Sequence, residues 1–402
     1  MTAASSPVPA DRAPRSLAEL TDGQRERFAR QLTLVGFGPE AQLALLRARV
    51  LVVGAGGLGS PVLQYLAAAG VGEIHVVDDD VVDRSNLHRQ VIHAEADLDR
   101  AKTASAAETI RGLHPEARVV EHRERLTSQN ALERVRGMDL VVDGADTYAT
   151  RYLVADACEI ARVPVVWGAV LRFAGQVSVF APGGPLYRDV FPEEPDPGTV
   201  PTCAEAGVVG VLPGIVGSVM AAEAVKALTG VGQTLTGRLL SVDVLTLRFT
   251  EHALAADPDR TPVVDLAAHA AAEAEAAAAR GMPGPGEVAA DALAAMLVDP
   301  DAGAVRVLDV RDAAERALGV LEPSDHVPLA DVLAAPAAQA PDEGMTLVVL
   351  CAAGVRSARA RDAVRAAAPA AAGRVLSLAG GLRAWEARGE AARPACSVDS
   401  PG

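Results

Sequence analysis

RVLVVGAGGLG, residues 49–59, is a short β-branched run closed by four glycines. A run of that length ended by glycine reads as a buried strand. PVLQYLAAAG, residues 61–70, follows as an apolar helix stopped by glycine. The loop between them satisfies G-x-G-x-x-G through Gly54, Gly56 and Gly59, with Gly57 beside them. Such a loop lets backbone approach phosphates closely, and the helix start offers free amides and a positive dipole end. Asp78, ending the next strand (Ile74–Val77), is placed to accept from ribose hydroxyls. These features point to a nucleotide site but do not separate NAD from ATP.

Outward from this unit the pattern repeats. Leu140–Val142 and Val163–Val166 read as further strands with helical stretches between them, and Gly237–Phe249 as strands closing the domain. Residues 17–48 read as helices, and Pro182–Pro201 as a loop. Strands alternating with helices predict an α/β, Rossmann-like fold with a largely parallel sheet. A second, smaller α/β pattern begins near Glu287, with strands at Val305–Leu308, Thr346–Leu350 and Arg374–Ser377. The expected organisation is a disordered leader (1–16), a first domain (17–250), an Ala/Pro/Gly-rich linker (251–286), a second domain (287–394) and a tail (395–402).

Composition sets limits. The chain has 402 residues, 50% hydrophobic and 22% charged, which suits two or three domains rather than a disordered polymer. Aromatics are 3%, so aliphatic cores are expected. A net charge of -15 argues against nucleic acid as the main partner. Four cysteines without a close pair exclude a disulfide scaffold and a CxxC…CxxC zinc site, and point to a reducing, cytoplasmic setting. The uncharged stretch 206–222 contains Pro213 and several glycines, so a buried loop and helix is expected rather than a membrane span.

The residues after the glycine loop refine the nucleotide. Asp78-Asp79-Asp80 leads into Ser85-Asn86-Leu87-His88-Arg89-Gln90; Lys102 follows, and Asp146 lies just after the Leu140–Val142 strand. Cations offset phosphate charge and a carboxylate can hold magnesium, so the set suits a triphosphate better than a nicotinamide. Taken singly, each residue also reads as solvated surface charge.

In order, RFARQ (27–31), VVGAGGLGSP (52–61), VDDDVVDRSNLHRQ (77–90), the Lys102 segment, DGADTYATR (143–151) and PTCAEAG (201–207) resemble the MoeB/ThiF family of ubiquitin-activating-enzyme-like adenylyltransferases. The resemblance covers about Thr21 to Phe249. It implies ATP-dependent adenylylation of the C-terminal Gly-Gly carboxylate of a ubiquitin-like sulfur-carrier protein. It implies that Asp78 holds the ribose, that Asn86, Arg89, Gln90 and Lys102 contact phosphates, and that Asp146 positions Mg2+ and the reacting groups. It also implies that Arg30 reaches the phosphates of a neighbouring subunit in a homodimer. Arg151 matches the pattern, in a binding or a structural role. Two departures stand out. Many relatives carry Asp-Asn where this chain has Asp146-Thr147, and a tolerated change is expected. Many carry two zinc-binding CxxC pairs; here the first pair's positions read Leu186-Tyr187-Arg188-Asp189 and there is no second pair. Structural zinc is therefore not expected, and packing should hold the site instead.

Cys203 follows the Pro/acid-rich loop; alone it reads as a small buried hydrophobe, whereas the family's PxCxExG pattern implies a thiol that attacks an acyl-adenylate or resolves an acyl-disulfide. Cys158 reads as core and Cys396 as a bystander in the tail. Cys351 stands at a strand-to-helix turn, followed by Ala352, Ala353, Gly354, Val355, Arg356 and Ser357. Free amides and a helix dipole there stabilise a thiolate or persulfide, and Arg356 should add positive charge. With LDVR (308–311) and LAGGLRAW (378–385), this loop resembles the rhodanese family of sulfurtransferases over about Glu287 to Pro394. GVLEPSDHVP (319–328) departs from the G-H-I-x-G-A turn of typical members. Together the halves resemble MoeZ-type fusions that adenylate a carrier and then thiolate it to a C-terminal thiocarboxylate. The sulfur donor would be a cysteine desulfurase or thiosulfate. Rival readings are an NAD-dependent oxidoreductase and a non-catalytic or adenylation-only carrier-binding protein with a decayed rhodanese domain.

Overall fold

The protein is described from a computed structural model, over residues 16–195, 207–279, 283–298 and 303–388. It divides into two compact units, one running to Glu273 and the other from Ala274 on.

In the first unit Thr21 and Gln24 form a capping box that starts α1 (Asp22–Arg27). Then come α2 (Ala29–Leu32), α3 (Gly38–Arg47), β1 (Arg49–Val53), α4 (Gly59–Ala69), β2 (Glu73–Val77), α5 (Lys102–Leu113), β3 (Arg118–His122), α6 (Ala131–Val135) and β4 (Leu140–Asp143). They are followed by α7 (Tyr148–Ala161), β5 (Val165–Leu171), β6 (Ala174–Phe180), α8 (Tyr187–Val190), α9 (Val211–Thr229), β7 (Arg238–Asp243), β8 (Arg248–Ala253) and α10 (Ala267–Ala279), which begins in this unit and runs past its end at Glu273. The eight strands form one sheet in the order β3-β2-β1-β4-β5-β6-β7-β8. Its first five strands are parallel and its last three antiparallel. The chain runs outward from β1 to β3 and returns beside β1 as β4. The carboxyl ends of β1 and β4 therefore flank the switch point where doubly wound sheets bind ligands.

Each face of this sheet has its own core. On one, Leu63 and Leu66 of α4 pack with Leu212, Val216 and Met220 of α9. Helix α9 is long and apolar enough to cross a membrane by length and composition, but these side chains are spent on the sheet. The other face corrects the expectation of wholly aliphatic cores. Trp167, Phe180 and Tyr187 meet with ring centroids 5.5–6.2 Å apart, and Tyr152 and Phe191 join them. The few aromatics of the chain are concentrated rather than absent from the interior.

The stretch read as linker begins later than composition implies. Strand β8 runs to Ala253, Leu266 is buried, and α10 is tied back by His269 to Asp156 at 2.7 Å and by Glu273 to Ser128 at 2.7 Å.

The second unit contains β9 (Glu287–Val288), α11 (Ala290–Val298), β10 (Ala304–Asp309), α12 (Ala313–Ala317), β11 (Asp325–His326), α13 (Leu329–Ala334), β12 (Met345–Leu350), α14 (Val355–Ala367), β13 (Val375–Leu378) and α15 (Gly381–Glu386). Its sheet is parallel throughout, in the order β11-β10-β12-β13-β9. The switch point lies between β10 and β12, and the loop after β12 is the cysteine loop.

Candidate active sites

The glycine loop turns on two backbone requirements. Gly54 adopts φ +89°, a region favouring glycine. A Cβ on Gly59 would lie 1.9 Å from the Gly54 carbonyl oxygen, so only glycine lets α4 start this close to the strand end. Beneath the loop, His93 contacts the Ala55 carbonyl through Nε2 at 2.9 Å and Ser105 Oγ through Nδ1 at 2.8 Å. Burial lowers its pKa, so the ring is neutral, with Nε2–H donating to the carbonyl.

Asp78 accepts from the Ala55 amide at 2.8 Å and the Asp80 amide at 2.9 Å. Burial is the largest influence on its carboxyl and raises its pKa, against the pull of Lys102. The nearly buried Lys102 ammonium lies 2.8 Å from Asp80. Arg89 donates to Asn86 Oδ1 at 2.7 Å, and Asn86, expected to contact phosphates, is not among the residues lining the cavity. Asp79 is engaged by Arg125 at 3.0 Å. The amide oxygen of Gln90 is buried and has no hydrogen-bond partner among the described residues. A buried acceptor left open in a polar cleft is a place for a ligand's donor.

These groups line a cavity of about 110 Å³ holding Gly54, Gly56, Gly57, Asp78, Arg89, Gln90, Lys102, Asp146 and Arg151. Pro213, at the start of α9, also lines it, close beside Gly57. Asp146 is exposed at the rim, and Thr147 caps α7 by accepting from Thr150 N at 3.2 Å. The threonine that departs from the family's Asp-Asn thus has a local function, since threonine is a good helix N-cap. Arg151 is buried, donates to the Ala145 carbonyl at 3.1 Å and lies over the Tyr148 ring. It therefore joins the structural role to the cavity wall. Arg30 is exposed on α2 and is not among the lining residues. Cys203 lies outside the described residues.

Sequence reasoning missed Asp143. Fully buried at the end of β4, it accepts from the Ala145 amide at 2.9 Å, and burial raises its pKa to about 6. Its place as the polar residue closing an apolar strand at the switch point was the available signal. A second cavity, of about 640 Å³, shares Asp146, Arg151 and Val170 with the first. It runs along the antiparallel strands, between Trp167, Gln176 and Arg248 and the wall formed by Tyr187 to Pro195. The two cavities thus adjoin at these three residues.

Buried Tyr187 packs the Leu186–Asp189 region, and ion pairs fasten it as well. Arg188 forks onto Asp156 at 2.6 and 2.7 Å. Arg260 bridges Asp189 at 2.7 Å and Glu159 at 3.1 Å. The expectation of packing alone is corrected accordingly.

In the second unit, Cys351 is 1% exposed at the end of β12. Its sulfur accepts from the Gly354 amide at 3.1 Å and the Ser357 amide at 3.4 Å, at the start of α14. Ala352 and Ala353 are half-buried, and Val355 is partly exposed. A Cβ on Gly381 would fall 2.4 Å from the Cys351 carbonyl, so the glycine admits α15 against the loop. The positive charge expected of Arg356 beside the sulfur is paired with a carboxylate. Its guanidinium forks onto Glu315 at 2.6 and 2.7 Å and ties the loop to α12. The departing turn is built in as well. Arg311 pairs with buried Asp309 at 2.8 Å and donates to the Gly319 carbonyl at 2.6 Å, while Val320 and Leu321 are buried.

Residues 28–263 match the ThiF family, and residues 289–388 match the rhodanese-like domain. The chain belongs to the ThiF family. This ThiF-family chain is 42% identical over 370 residues to the probable adenylyltransferase/sulfurtransferase MoeZ of Mycobacterium tuberculosis, covering 89% of this chain and 92% of that one. It is 51% identical over 249 residues to the sulfur carrier protein adenylyltransferase of Thermus thermophilus, covering 60% of this chain and 92% of that one. Among solved structures, E. coli MccB with MccA-N7isoASN shares the fold, with a TM-score of 0.54, 19% identity, and coverage of 61% of this chain and 76% of that chain. A ThiF domain and a rhodanese domain on one chain make it an adenylyltransferase joined to a sulfurtransferase.

Proposed function

We propose that the protein uses ATP to adenylylate the C-terminal glycine of a ubiquitin-like sulfur-carrier protein, then passes sulfur from a Cys351 persulfide to form a C-terminal thiocarboxylate. The observation that carries this reading is the junction of the two cavities at Asp146, Arg151 and Val170. A phosphate cradle meets a peptide-sized groove at one carboxylate.

A carboxylate is a poor electrophile until AMP makes its oxygen a leaving group. The loop amides and the start of α4 hold phosphate, Lys102 and Arg89 offset the charge of departing pyrophosphate, and Asp78 accepts from the ribose. Asp146, without a hydrogen bond or ion pair among the described residues, is the carboxylate placed to hold Mg2+, which would supply further charge neutralisation. Asp80 is engaged by Lys102 and Asp79 by Arg125, which leaves them less suited. No structural zinc is proposed, since the Arg188 and Arg260 ion pairs fasten the segment concerned.

The terminal sulfur of the Cys351 persulfide then attacks the acyl carbon and AMP leaves. A second thiol, for which Cys203 is the candidate, attacks the Cys351 sulfur of the acyl disulfide. This frees the thiocarboxylate and leaves a protein disulfide for an external thiol to reduce. A cysteine desulfurase or thiosulfate would reload Cys351, in a cytoplasmic, reducing setting. The protein acts as a homodimer in which Arg30 serves the partner's phosphates. Support comes from exposed Arg30 and its apolar neighbours Leu34 and Val35, which are 56% and 98% exposed.

Mass spectrometry tests the reading. With ATP, Mg2+, a sulfur donor and a Gly-Gly-ended carrier, the carrier should exchange one oxygen for one sulfur; failure across all candidate carriers refutes it. Mixing Arg30→Ala with Asp146→Ala protein should restore part of the activity through heterodimers, and no recovery would exclude the shared site.

A further inference from the structure

The outer wall of the peptide groove is the one-turn helix α8 and the residues after it, up to Pro195. A single turn has almost no stability of its own, because nucleation fixes several residues for one hydrogen bond. Its place must come from tertiary ties. Those ties converge on one face of α7, the helix whose first turn follows Asp146. Asp156 of α7 takes the Arg188 fork, and Tyr152, one turn earlier, donates its hydroxyl to the Glu193 carbonyl. Glu159, one turn later, takes two Arg260 nitrogens at 3.1 Å each. The same Arg260 donates from Nε to Asp189, which also accepts from the Leu186 amide at 2.6 Å. The side chains of Asp156, Asp189 and Glu159 are 3%, 4% and 11% exposed, so these are interior ties rather than surface decoration.

We infer that Arg260 is a positioning residue for the carrier's tail. It rivets α8 to α7 and so fixes the spacing between the groove wall and the reacting carboxylate, without touching nucleotide or substrate. A planar guanidinium spans two carboxylates with its donors in a fixed fork, whereas an ammonium is a point charge on a flexible stem. The inference rests on the proposed carrier reaction, with α7 bearing the reaction centre at one end and the wall along its side.

Two kinds of measurement test it. In carrier-dependent ATP–pyrophosphate exchange, Arg260→Gln should raise KM for the carrier about tenfold, a fraction of the ~10²-fold that a 1 Å misplacement can cost. KM for ATP should stay within about twofold, and Arg260→Lys should recover only part of the loss. Glu159→Gln, which keeps an oxygen for the Val263 amide, is the milder second variant and should shift KM for the carrier in the same direction. An unchanged KM for the carrier, or equal rises in both KM values, overturns the inference. Hydrogen–deuterium exchange needs no activity. In Arg260→Gln, amides of residues 186–193 should lose protection while those of residues 50–60 keep theirs. Uniform loss or no loss overturns it. If the unaltered protein adenylylates no carrier, the functional reading fails, and the exchange pattern still decides whether Arg260 holds the wall.

Discussion

Gly59→Ala puts the nucleotide cradle to its hardest test. The added Cβ would stand 1.9 Å from the Gly54 carbonyl oxygen and 3.0 Å from its carbon. Carbon–oxygen contacts settle near ~3.3 Å, so about 1.4 Å of separation has to be found. Both partners are backbone: one is the loop's first turn, the other the first residue of α4. Neither can rotate away, so the helix start must retreat from the strand. Overpacking of this kind costs ~1–3 kcal/mol. In a domain of this size each kcal/mol lowers Tm by roughly 2–4 °C, so a fall of about 2–12 °C is expected. The retreat also displaces the amides that face phosphate, and ~1 Å there can cost ~10²-fold in kcat/KM for ATP. Gly56→Ala is the control, because its Cβ would meet only the Gln90 amide nitrogen, at an ordinary 3.6 Å. It should keep the Tm and lose nucleotide affinity alone. Thermal unfolding and ATP-dependent pyrophosphate exchange read both quantities. A Gly59→Ala protein with unaltered Tm and unaltered KM for ATP would refute this account of the loop.

Cys351→Ala should keep pyrophosphate exchange and abolish sulfur transfer, as read from the mass of the carrier; normal transfer would remove Cys351 from the mechanism. Lys102→Met should lower exchange by ~10²–10³-fold, the scale of losing a preorganised charge at a developing anion. Asp143→Asn should stabilise the protein increasingly as pH rises. The folded carboxyl titrates at about 6 against 3.8 for the free group, so its contribution is intact below about pH 4 and lost on passing 6. That gap is worth about 3 kcal/mol, and urea unfolding of both proteins at several pH values should show the difference level off above pH 6. His75, His93, His114 and His122 work in the opposite direction. Burial lowers all four, so the unfolded chain binds their protons first and stability should fall as pH drops below about 6.5. A flat unfolding midpoint from pH 7.5 to 5.5 would contradict their burial.

The glycine loop and the cysteine loop were legible because each requirement is local: backbone reach, a helix start, a strand end. Asp78, Arg89, Gln90 and Lys102 were legible as one set through their order along the chain. Strand β3 escaped because RVVEH carries charge at both ends and only intermediate burial, and β6 because AGQVSVF opens with small and polar residues. What the reading could not supply was pairing at a distance. Arg356 looked like charge for the sulfur until Glu315, 41 residues away, proved to hold it. Arg260 sat inside a presumed linker, yet it closes onto Glu159 from 101 residues away. Asp143 was visible as a residue and not as a buried acid, because burial belongs to the assembled sheet.

The anchored stretch after β8 decides where the molecule can be divided. Ending a shortened chain at Thr250, where composition changes, would remove the end of an edge strand, the Arg260 rivet, buried Leu266 and the His269 and Glu273 ties. Such a fragment would fail for reasons unrelated to its chemistry, and its inactivity would be misread as dependence on the rhodanese half. Truncation is tolerated where backbone is unburied and unbonded, and here that condition is not met before Glu273. A cut beyond the first turns of α10 keeps the His269 and Glu273 ties in the adenylating half.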